Sequence, residues 1–148
     1  MAPGDSGAIV ASVMHHVSVI VEDGEASSRS LNETLGIGPW ETRRITFDYL
    51  DSGDADEAEI KVMRAKFGPT LLELIQPIKG DTIWARSLRC EVDANRLHHV
   101  AFHAAEWADL YARLQQGRGQ ILARGIEQGK NWCYFRSEPS GLVIEFYE

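Results

Sequence analysis

The chain has 148 residues, of which 44% are hydrophobic, and its formal net charge at pH 7 is −7. This length and composition suffice for one hydrophobic core and predict a single structural unit. The negative charge argues against nucleic acid and anionic membranes as partners, and no apolar run is long enough to span a bilayer.

The N-terminal segment and the cysteines indicate where the protein resides. Residues 1–12 are predicted to form an N-terminal arm, because they lack the basic start and the sustained apolar stretch of a secretion signal. Cys90 and Cys133 have no metal-type spacing and give no disulfide framework. Reduced thiols are the expectation for such a pair, so we predict a cytoplasmic protein.

The sequence pattern of the first half of the chain, residues 13–78, predicts a strand, a helix and three further strands. Val13–Val21 alternates, with His16 and Ser18 on one face and the valines on the other. A helix is predicted over Glu25–Leu35 from its amphipathic pattern, and Gly36 is its stop signal. The three strands that follow are predicted over Trp40–Leu50, Glu59–Phe67 and Thr70–Gln76, the last of them ended by Pro77.

The second half, residues 97–148, predicts the same order of elements. A linker over residues 79–96, with a short helix around Trp84, is expected to join the halves. The predicted elements are a strand Leu97–Ala104, a helix Trp107–Gln116, and strands Gln120–Ala123, Trp132–Arg136 and Leu142–Tyr147. The sequence therefore predicts an α+β protein built from two tandem βαβββ modules within one structural unit.

An internal repeat relates the two halves. Aligning His16 with His99 also aligns the histidine that precedes each and the valine that follows each. A carboxylate interrupts the last apolar strand of each half, Glu73 in the first and Glu145 in the second. A carboxylate among apolar residues is costly unless it has a partner.

Packing of the halves about a pseudo-twofold axis would bring four side chains into one cleft, namely His16, Glu73, His99 and Glu145. Two imidazoles and two carboxylates suit a borderline divalent cation such as Zn²⁺, Co²⁺, Ni²⁺, Mn²⁺ or Fe²⁺. Strand alternation places His15 and His98 on the opposite face, outside this set. A satisfied core histidine, a structural metal or no metal are the simpler explanations for such residues.

The chain resembles the vicinal oxygen chelate superfamily, the group of glyoxalases, bleomycin resistance proteins and extradiol dioxygenases, from about Val13 to its end. The resemblance rests on the segments HHVSVIVED, LGIGPW, LLELIQP, LHHVAFHA and SGLVIEFYE. It implies a curved mixed sheet around a metal cleft, with the divalent ion held by His16, Glu73, His99 and Glu145. Within the superfamily, ELIQP and LHHVAF are most similar to the methylmalonyl-CoA epimerase family.

The resemblance implies a metal-dependent epimerase or isomerase that removes a proton α to a carbonyl through a metal-stabilised enolate. Its substrate would be a small α-carbonyl compound or an acyl thioester. We expect Glu145 to be the first base, with Glu73 or Glu59 opposite, since Glu59 is the nearest match to an additional acid/base glutamate of the epimerases.

Other activities of the superfamily stay open on the sequence. These are a glyoxalase I-like lyase, an Fe(II) extradiol-type dioxygenase and a small-molecule-binding resistance protein. A fourth ligand at Glu73 argues against the dioxygenase, which needs three open positions for oxygen and a catechol. The family commonly forms dimers, so a homodimer is expected. Substrate choice is expected to depend on loops around the cleft, such as Asp48–Ala58 and Arg124–Asn131.

Overall fold

A computed structural model describes residues 14–51, 55–90 and 97–148. The predicted arm at residues 1–12 lies outside the described residues, and the linker is described only as far as Cys90. The division of the chain at residues 78 and 97 therefore stays a prediction. In the described ranges, no helix is long and apolar enough to cross a membrane.

The described ranges contain nine strands, three α-helices and one short 3₁₀ turn at Ala55–Glu57. The strands are β1 His16–Ile20, β2 Glu41–Ile45, β3 Tyr49–Leu50, β4 Glu59–Phe67, β5 Thr70–Lys79, β6 Leu97–His103, β7 Gly119–Glu127, β8 Lys130–Ser137 and β9 Val143–Tyr147. The helices are α1 Gly24–Leu35, α2 Ile83–Arg89 and α3 Trp107–Gln116.

The nine described strands form one curved sheet in the order β2-β4-β5-β1-β6-β9-β8-β7-β3. At its centre β1 and β6, the first strands of the two halves, pair antiparallel. On either side the pattern repeats, because β1 pairs parallel with β5 and β6 pairs parallel with β9. The α+β class and the curved mixed sheet of two tandem βαβββ modules are thus confirmed.

The predicted strand Trp40–Leu50 is in fact two strands with different partners. After Ile45 the chain leaves β4, and Tyr49 and Leu50 pair with β7 of the second half. The two outer strands of the sheet, β2 and β3, are separated by residues 46–48, so their ends lie within about 14 Å of each other. The sheet consequently curls into a half-barrel, with its two edges brought together by the chain itself.

Two other predicted boundaries are also wrong, each for a local reason. β5 continues through Pro77 to Lys79, because β1 pairs with β5 only at residues 71–75 and needs no N–H from position 77. The predicted loop Arg124–Asn131 is the end of the β7–β8 hairpin, closed by Gln128 and Gly129 at φ values of 49° and 76°. Positive φ at both central residues is the geometry of a two-residue hairpin turn.

An aromatic cluster fills the inside of the half-barrel. Trp84 of α2 is 1% exposed, stacks on Phe47 at 5.3 Å between ring centroids and donates its indole N–H to the Tyr134 hydroxyl at 2.9 Å. Trp132 lies 5.8 Å from both Phe47 and Trp84 between centroids. Trp84, which falls in the predicted linker, therefore contributes to the floor of the cleft.

The outer face of the sheet is covered by the two longer helices. Leu110 and Leu114 of α3 pack against Phe135 and Phe146 of the second half. Leu31 of α1 covers the corresponding strands of the first half. With both the inside and the outside of the sheet packed, side chains that alternate along a strand are fixed to one face or the other.

Candidate metal centre

The antiparallel pairing of β1 with β6 brings the two repeat histidines together. His16 is opposite Ala101, and His99 is opposite Ser18. The small side chains of Ser18 and Ala101, both fully buried, leave room for the two imidazoles. The two histidine residues are 1% and 2% exposed, and their Nε2 atoms lie 3.3 Å apart.

The carboxylates enter from the strands on either side. Glu73 of β5 is beside Ser18, and Glu145 of β9 is beside Ala101. Glu145 Oε2 lies 3.1 Å from His16 Nε2 and 3.0 Å from His99 Nε2. Glu73 Oε1 lies 3.4 Å and 3.9 Å from the same two nitrogens. The structure thus brings together the four side chains that the sequence predicts as ligands.

These spacings fit a divalent cation. In the described residues, donor atoms of His16, Glu73 and His99 all lie within 4.8 Å of one another. Neighbouring ligands at about 2.1 Å from an ion are about 3.0 Å apart in an octahedron and about 3.4 Å apart in a tetrahedron. The distances between the imidazole and carboxylate donors run from 3.0 to 3.9 Å, so these residues can hold such an ion.

The outer histidines are beside the cluster, where strand alternation predicted the opposite face. His15 Nδ1 lies 2.8 Å from His16 Nδ1, and His98 Nδ1 lies 2.7 Å from His99 Nδ1. Each contact occupies the ring nitrogen that faces away from the cluster, so Nε2 of His16 and of His99 is left to face inward. Burial, together with His99, lowers the pKa of His98 to about 3, so its imidazole is neutral.

Arg64 is a site residue that our sequence analysis missed. It is the cross-strand neighbour of Glu73 on β4, and its Nε and Nη2 atoms each lie 2.7 Å from Glu73 Oε2. Ser18 Oγ donates to Glu73 Oε1 at 3.0 Å. Burial lowers the pKa of Arg64, but the adjacent Glu73 outweighs it and raises the pKa overall. Both oxygens of Glu73 are therefore held in place.

Glu145 is held differently. Its cross-strand neighbour is Tyr134, whose hydroxyl accepts from Trp84, and Glu145 contacts the two ligand imidazoles through the single atom Oε2. Burial raises the pKa of Glu145, but hydrogen bonds from His16 and His99 outweigh it and keep the pKa well below its usual range. Its side chain is 16% exposed, against 4% for Glu73. Glu145 is thus the more accessible carboxylate of the two.

The structure does not bring Glu59, the predicted second base, into the cleft. Ile60, Val62 and Arg64 are the β4 residues that line the inside of the half-barrel. Glu59 precedes a bulge at the start of the strand, and its carboxylate forms an ion pair with Arg44 of β2. Its place at the start of the strand agrees with the resemblance to an epimerase glutamate, but its side chain does not reach the site.

A cavity of about 230 Å³ opens beside the cluster. Its wall includes His16, Glu145, Arg64, Arg43, Glu127 and Trp132. This volume is below the usual range for drug-sized ligands, about 300 to 1,000 Å³, so the cavity suits a small ligand. The indole N–H of Trp132 is buried and has no hydrogen-bond partner in the described part of the chain. Glu127, like Arg64, was missed, because Arg124–Asn131 was predicted to be a loop.

Comparisons with known proteins agree with this architecture. A sequence model of the Glyoxalase/Bleomycin resistance protein/Dioxygenase superfamily matches residues 15–136. No curated protein matches the chain. Among solved structures, the hypothetical protein BH1468 from Bacillus halodurans C-125 is 15% identical with a TM-score of 0.64, over 92% of this chain and 93% of that one.

Two further similar structures are epimerases. A methylmalonyl-CoA epimerase is 18% identical with a TM-score of 0.58, over 90% of this chain and 92% of that one. A serine-to-threonine variant of the Streptomyces coelicolor methylmalonyl-CoA epimerase, in complex with 2-nitronate-propionyl-CoA, is 16% identical with a TM-score of 0.55, over 92% and 93% of the two chains. At these low sequence identities, the similarity shows only that the fold is shared.

The match to the superfamily covers most of the chain, and the fold and the buried histidine–glutamate cluster agree with it. The chain belongs to the Glyoxalase/Bleomycin resistance protein/Dioxygenase superfamily, which is the vicinal oxygen chelate superfamily.

Proposed function

We propose that this protein is a metal-dependent epimerase or isomerase that removes a proton α to a carbonyl group. The observation that carries the proposal is the buried cluster of two imidazoles and two carboxylates at the wall of a small cavity. His16, Glu73, His99 and Glu145 would hold a divalent ion there, and that ion would supply Lewis acidity at the substrate carbonyl. Zn²⁺, Co²⁺, Ni²⁺, Mn²⁺ and Fe²⁺ all suit this donor set.

The two carboxylates have different parts in this proposal. Glu73 is a fixed ligand, because Arg64 and Ser18 hold both of its oxygens. The alternative role of Glu73 as a base would require breaking that ion pair, so it is the less favoured one. Glu145 is the first base, because it contacts the imidazoles through one oxygen and lines the cavity. It can accept a proton from a substrate bound there.

We propose a small α-carbonyl compound or an acyl thioester as substrate. The cavity of about 230 Å³ matches a short acyl group, and Trp132 in its wall packs against Phe47 and Trp84 of the aromatic cluster. The Streptomyces coelicolor epimerase, whose fold is similar, binds 2-nitronate-propionyl-CoA. Methylmalonyl-CoA is accordingly the first substrate to test, and the hemithioacetal of methylglyoxal with glutathione, a glyoxalase substrate, is the second.

An Fe(II) extradiol-type dioxygenase is less well supported. Oxygen and a catechol together require three open positions on the iron. Glu73, held toward the cluster by Arg64 and Ser18, would occupy one of them. A resistance protein that only binds a small molecule has no need of four converging donors. A glyoxalase I-like lyase uses the same donors, so the substrate decides between it and an epimerase.

The test is α-proton exchange in D₂O, followed by NMR, after reconstitution with Co²⁺. We expect exchange on one of the two substrates, loss of exchange on chelation, and a loss of at least about 100-fold in Glu145→Gln. Glu59→Gln is the control, because that carboxylate lies outside the cleft. Bound Co²⁺ without exchange on either substrate would refute the proposed activity.

We also propose that the protein is a cytoplasmic homodimer. Cys90 and Cys133, the cysteines of the described ranges, are both free thiols, as a reducing compartment favours. Leu97 and Leu142 are 55% and 47% exposed and line the same surface cavity, which offers an apolar patch for a second copy. Sedimentation of Leu97→Lys beside the wild type tests this, since a dimer that uses the patch should dissociate.

A further inference from the structure

Glu127 is a carboxylate of the cleft that neither the metal cluster nor the proposed first base accounts for. It lies near the end of β7 and lines the 230 Å³ cavity together with His16 and Glu145. It also lines a deeper space of about 40 Å³, which Glu73 and Glu145 border from the other strands. Glu127 therefore borders, together with residues of the donor cluster, the space that a substrate would occupy.

An ion pair across the opening of the half-barrel orients this carboxylate. Arg43 Nη2 of β2 donates to Glu127 Oε1 at 3.2 Å. The next residue on β2, Arg44, faces the outer side and pairs with Glu59. Two consecutive arginines of β2 thus each pair with a glutamate. Arg43 pairs with Glu127 at the cavity, and Arg44 pairs with Glu59 outside it.

We propose that Glu127 is a second catalytic acid/base, which exchanges a proton with the substrate from the side of the cavity opposite the metal cluster. This inference rests on the proposed function and deepens it, because an epimerase needs a proton-transferring group on each face of the carbon. Glu127 then has the second acid/base role that the resemblance to the epimerases suggested for Glu59. Arg43 is then a positioning residue that keeps the carboxylate at the cavity.

The step is balanced without any co-reactant. The Glu127 carboxylate takes the α-proton and forms an O–H bond, while the C–H bond breaks and its electron pair moves into the carbonyl to give the enolate. Return of a proton to the same carbon breaks an O–H bond and restores the carbonyl. Inversion of the carbon needs one carboxyl ionised and the other protonated at the start: the Glu145 carboxylate takes the α-proton on one face, and protonated Glu127 returns its own proton on the other. Both carboxyls then recover their starting states by proton exchange with water.

The electrostatic surroundings of Glu127 favour proton transfer in both directions. Burial raises its pKa above the ordinary value of 4.5, and Glu145 and Glu73 add to this, while Arg43 and Arg64 oppose it. A carboxyl whose pKa moves toward the working pH can both take and return a proton. Lys130, its cross-strand neighbour, and Asp48, whose carboxylate accepts from the Gly129 N–H at 2.9 Å, are further charged groups at this end of β7.

The test uses the Co²⁺-loaded full chain and α-proton exchange in D₂O on methylmalonyl-CoA and on the glutathione hemithioacetal of methylglyoxal. Glu127→Gln keeps the shape of the side chain, and Glu59→Gln is the matched control, since it removes the other glutamate of the two arginine pairs. Co²⁺ affinity and the visible spectrum of bound Co²⁺ report on the cluster independently of activity. Glu127→Asp is a second variant in case the glutamine variant is poorly folded.

We expect exchange in Glu127→Gln to fall by at least about 100-fold, with Co²⁺ affinity, the Co²⁺ spectrum and Glu59→Gln activity unchanged. An exchange rate within about threefold of the wild type would overturn the role of Glu127 and leave the proposed function standing. Absence of exchange in the Co²⁺-loaded wild type would instead overturn the proposed function and this inference with it.

The pH dependence of exchange tests the positioning role of Arg43. Glu127 acts as a base only when ionised, so exchange should fall as the pH drops through a midpoint above 4.5. Arg43→Gln removes the cation that favours the ionised form, and the midpoint should move to higher pH. An unchanged midpoint in Arg43→Gln would contradict the assignment, because a merely structural arginine would not affect this titration.

Discussion

Replacing Arg64 by methionine tests the ion pair that distinguishes the two carboxylate ligands. The change removes the cation beside Glu73 but keeps most of the apolar stem of the side chain. Glu73 is 3% exposed, and Arg64 provides two contacts of 2.7 Å to its carboxylate. Removing one partner of a buried pair costs about 3 to 5 kcal/mol, because the other charge is left buried without compensation.

The expected loss for Arg64→Met lies at the lower end of that range. Arg64 is 30% exposed and Ser18 still donates to Glu73, so we expect the metal-free protein to lose about 3 kcal/mol of unfolding free energy. For a chain of this length, that loss corresponds to a decrease in Tm of about 10 °C. The measurement is urea unfolding followed by tryptophan fluorescence after treatment with a chelator.

Two comparisons isolate the ion pair. Lys61→Met removes another cation from β4, one that pairs with the exposed Glu25 at 3.1 Å, and should cost less than about 1 kcal/mol. In a Glu73→Gln background, the cost of Arg64→Met should largely disappear, because no buried charge remains to be compensated. If Arg64→Met destabilises both backgrounds equally, the loss comes from packing and the reasoning is refuted.

Three other properties can be checked directly. Saturating Co²⁺ at 100 times its Kd should stabilise the protein by about 2.7 kcal/mol, and a Tm independent of Co²⁺ concentration would contradict a native metal site. Burial raises the pKa of Cys133 to about 12, so a thiol reagent at pH 8 should modify only the exposed Cys90 until the protein is unfolded. Tyr134→Phe should cost about 1 to 2 kcal/mol, because the buried indole N–H of Trp84 loses its acceptor, whereas Tyr111→Phe, whose hydroxyl lies at the surface, should cost less than about 0.5 kcal/mol.

The repeat made the fold and the donor set predictable from the sequence. Strand alternation defines which side chains share a face, and an internal repeat defines which positions are equivalent in the two halves. Together they predicted that His16, Glu73, His99 and Glu145 would converge. No feature of one half taken alone, such as a single histidine on an apolar strand, would have distinguished a ligand from a core residue.

Arg64 and Glu127 were missed because finding them requires knowing which strands are neighbours in the sheet. Periodicity reports the face of a strand and not its partner, so it could not show that Tyr49 and Leu50 pair with β7. Arg64 was accessible to a closer argument, because a two-residue turn between Phe67 and Thr70 places Arg64 directly opposite Glu73. Glu127 could not have been found by such an argument, because its position at the same cavity as the cluster depends on how the whole sheet curls.

The different cross-strand neighbours of Glu73 and Glu145 have a consequence for the symmetry of the site. Two identical half-length chains about a true twofold axis would have to place the same residue beside both carboxylates, so both would be held equally firmly. This chain places Arg64 beside one and Tyr134 beside the other. Covalent union of the halves therefore permits the two equivalent carboxylates to differ, one paired with an arginine of the neighbouring strand and the other beside an uncharged tyrosine.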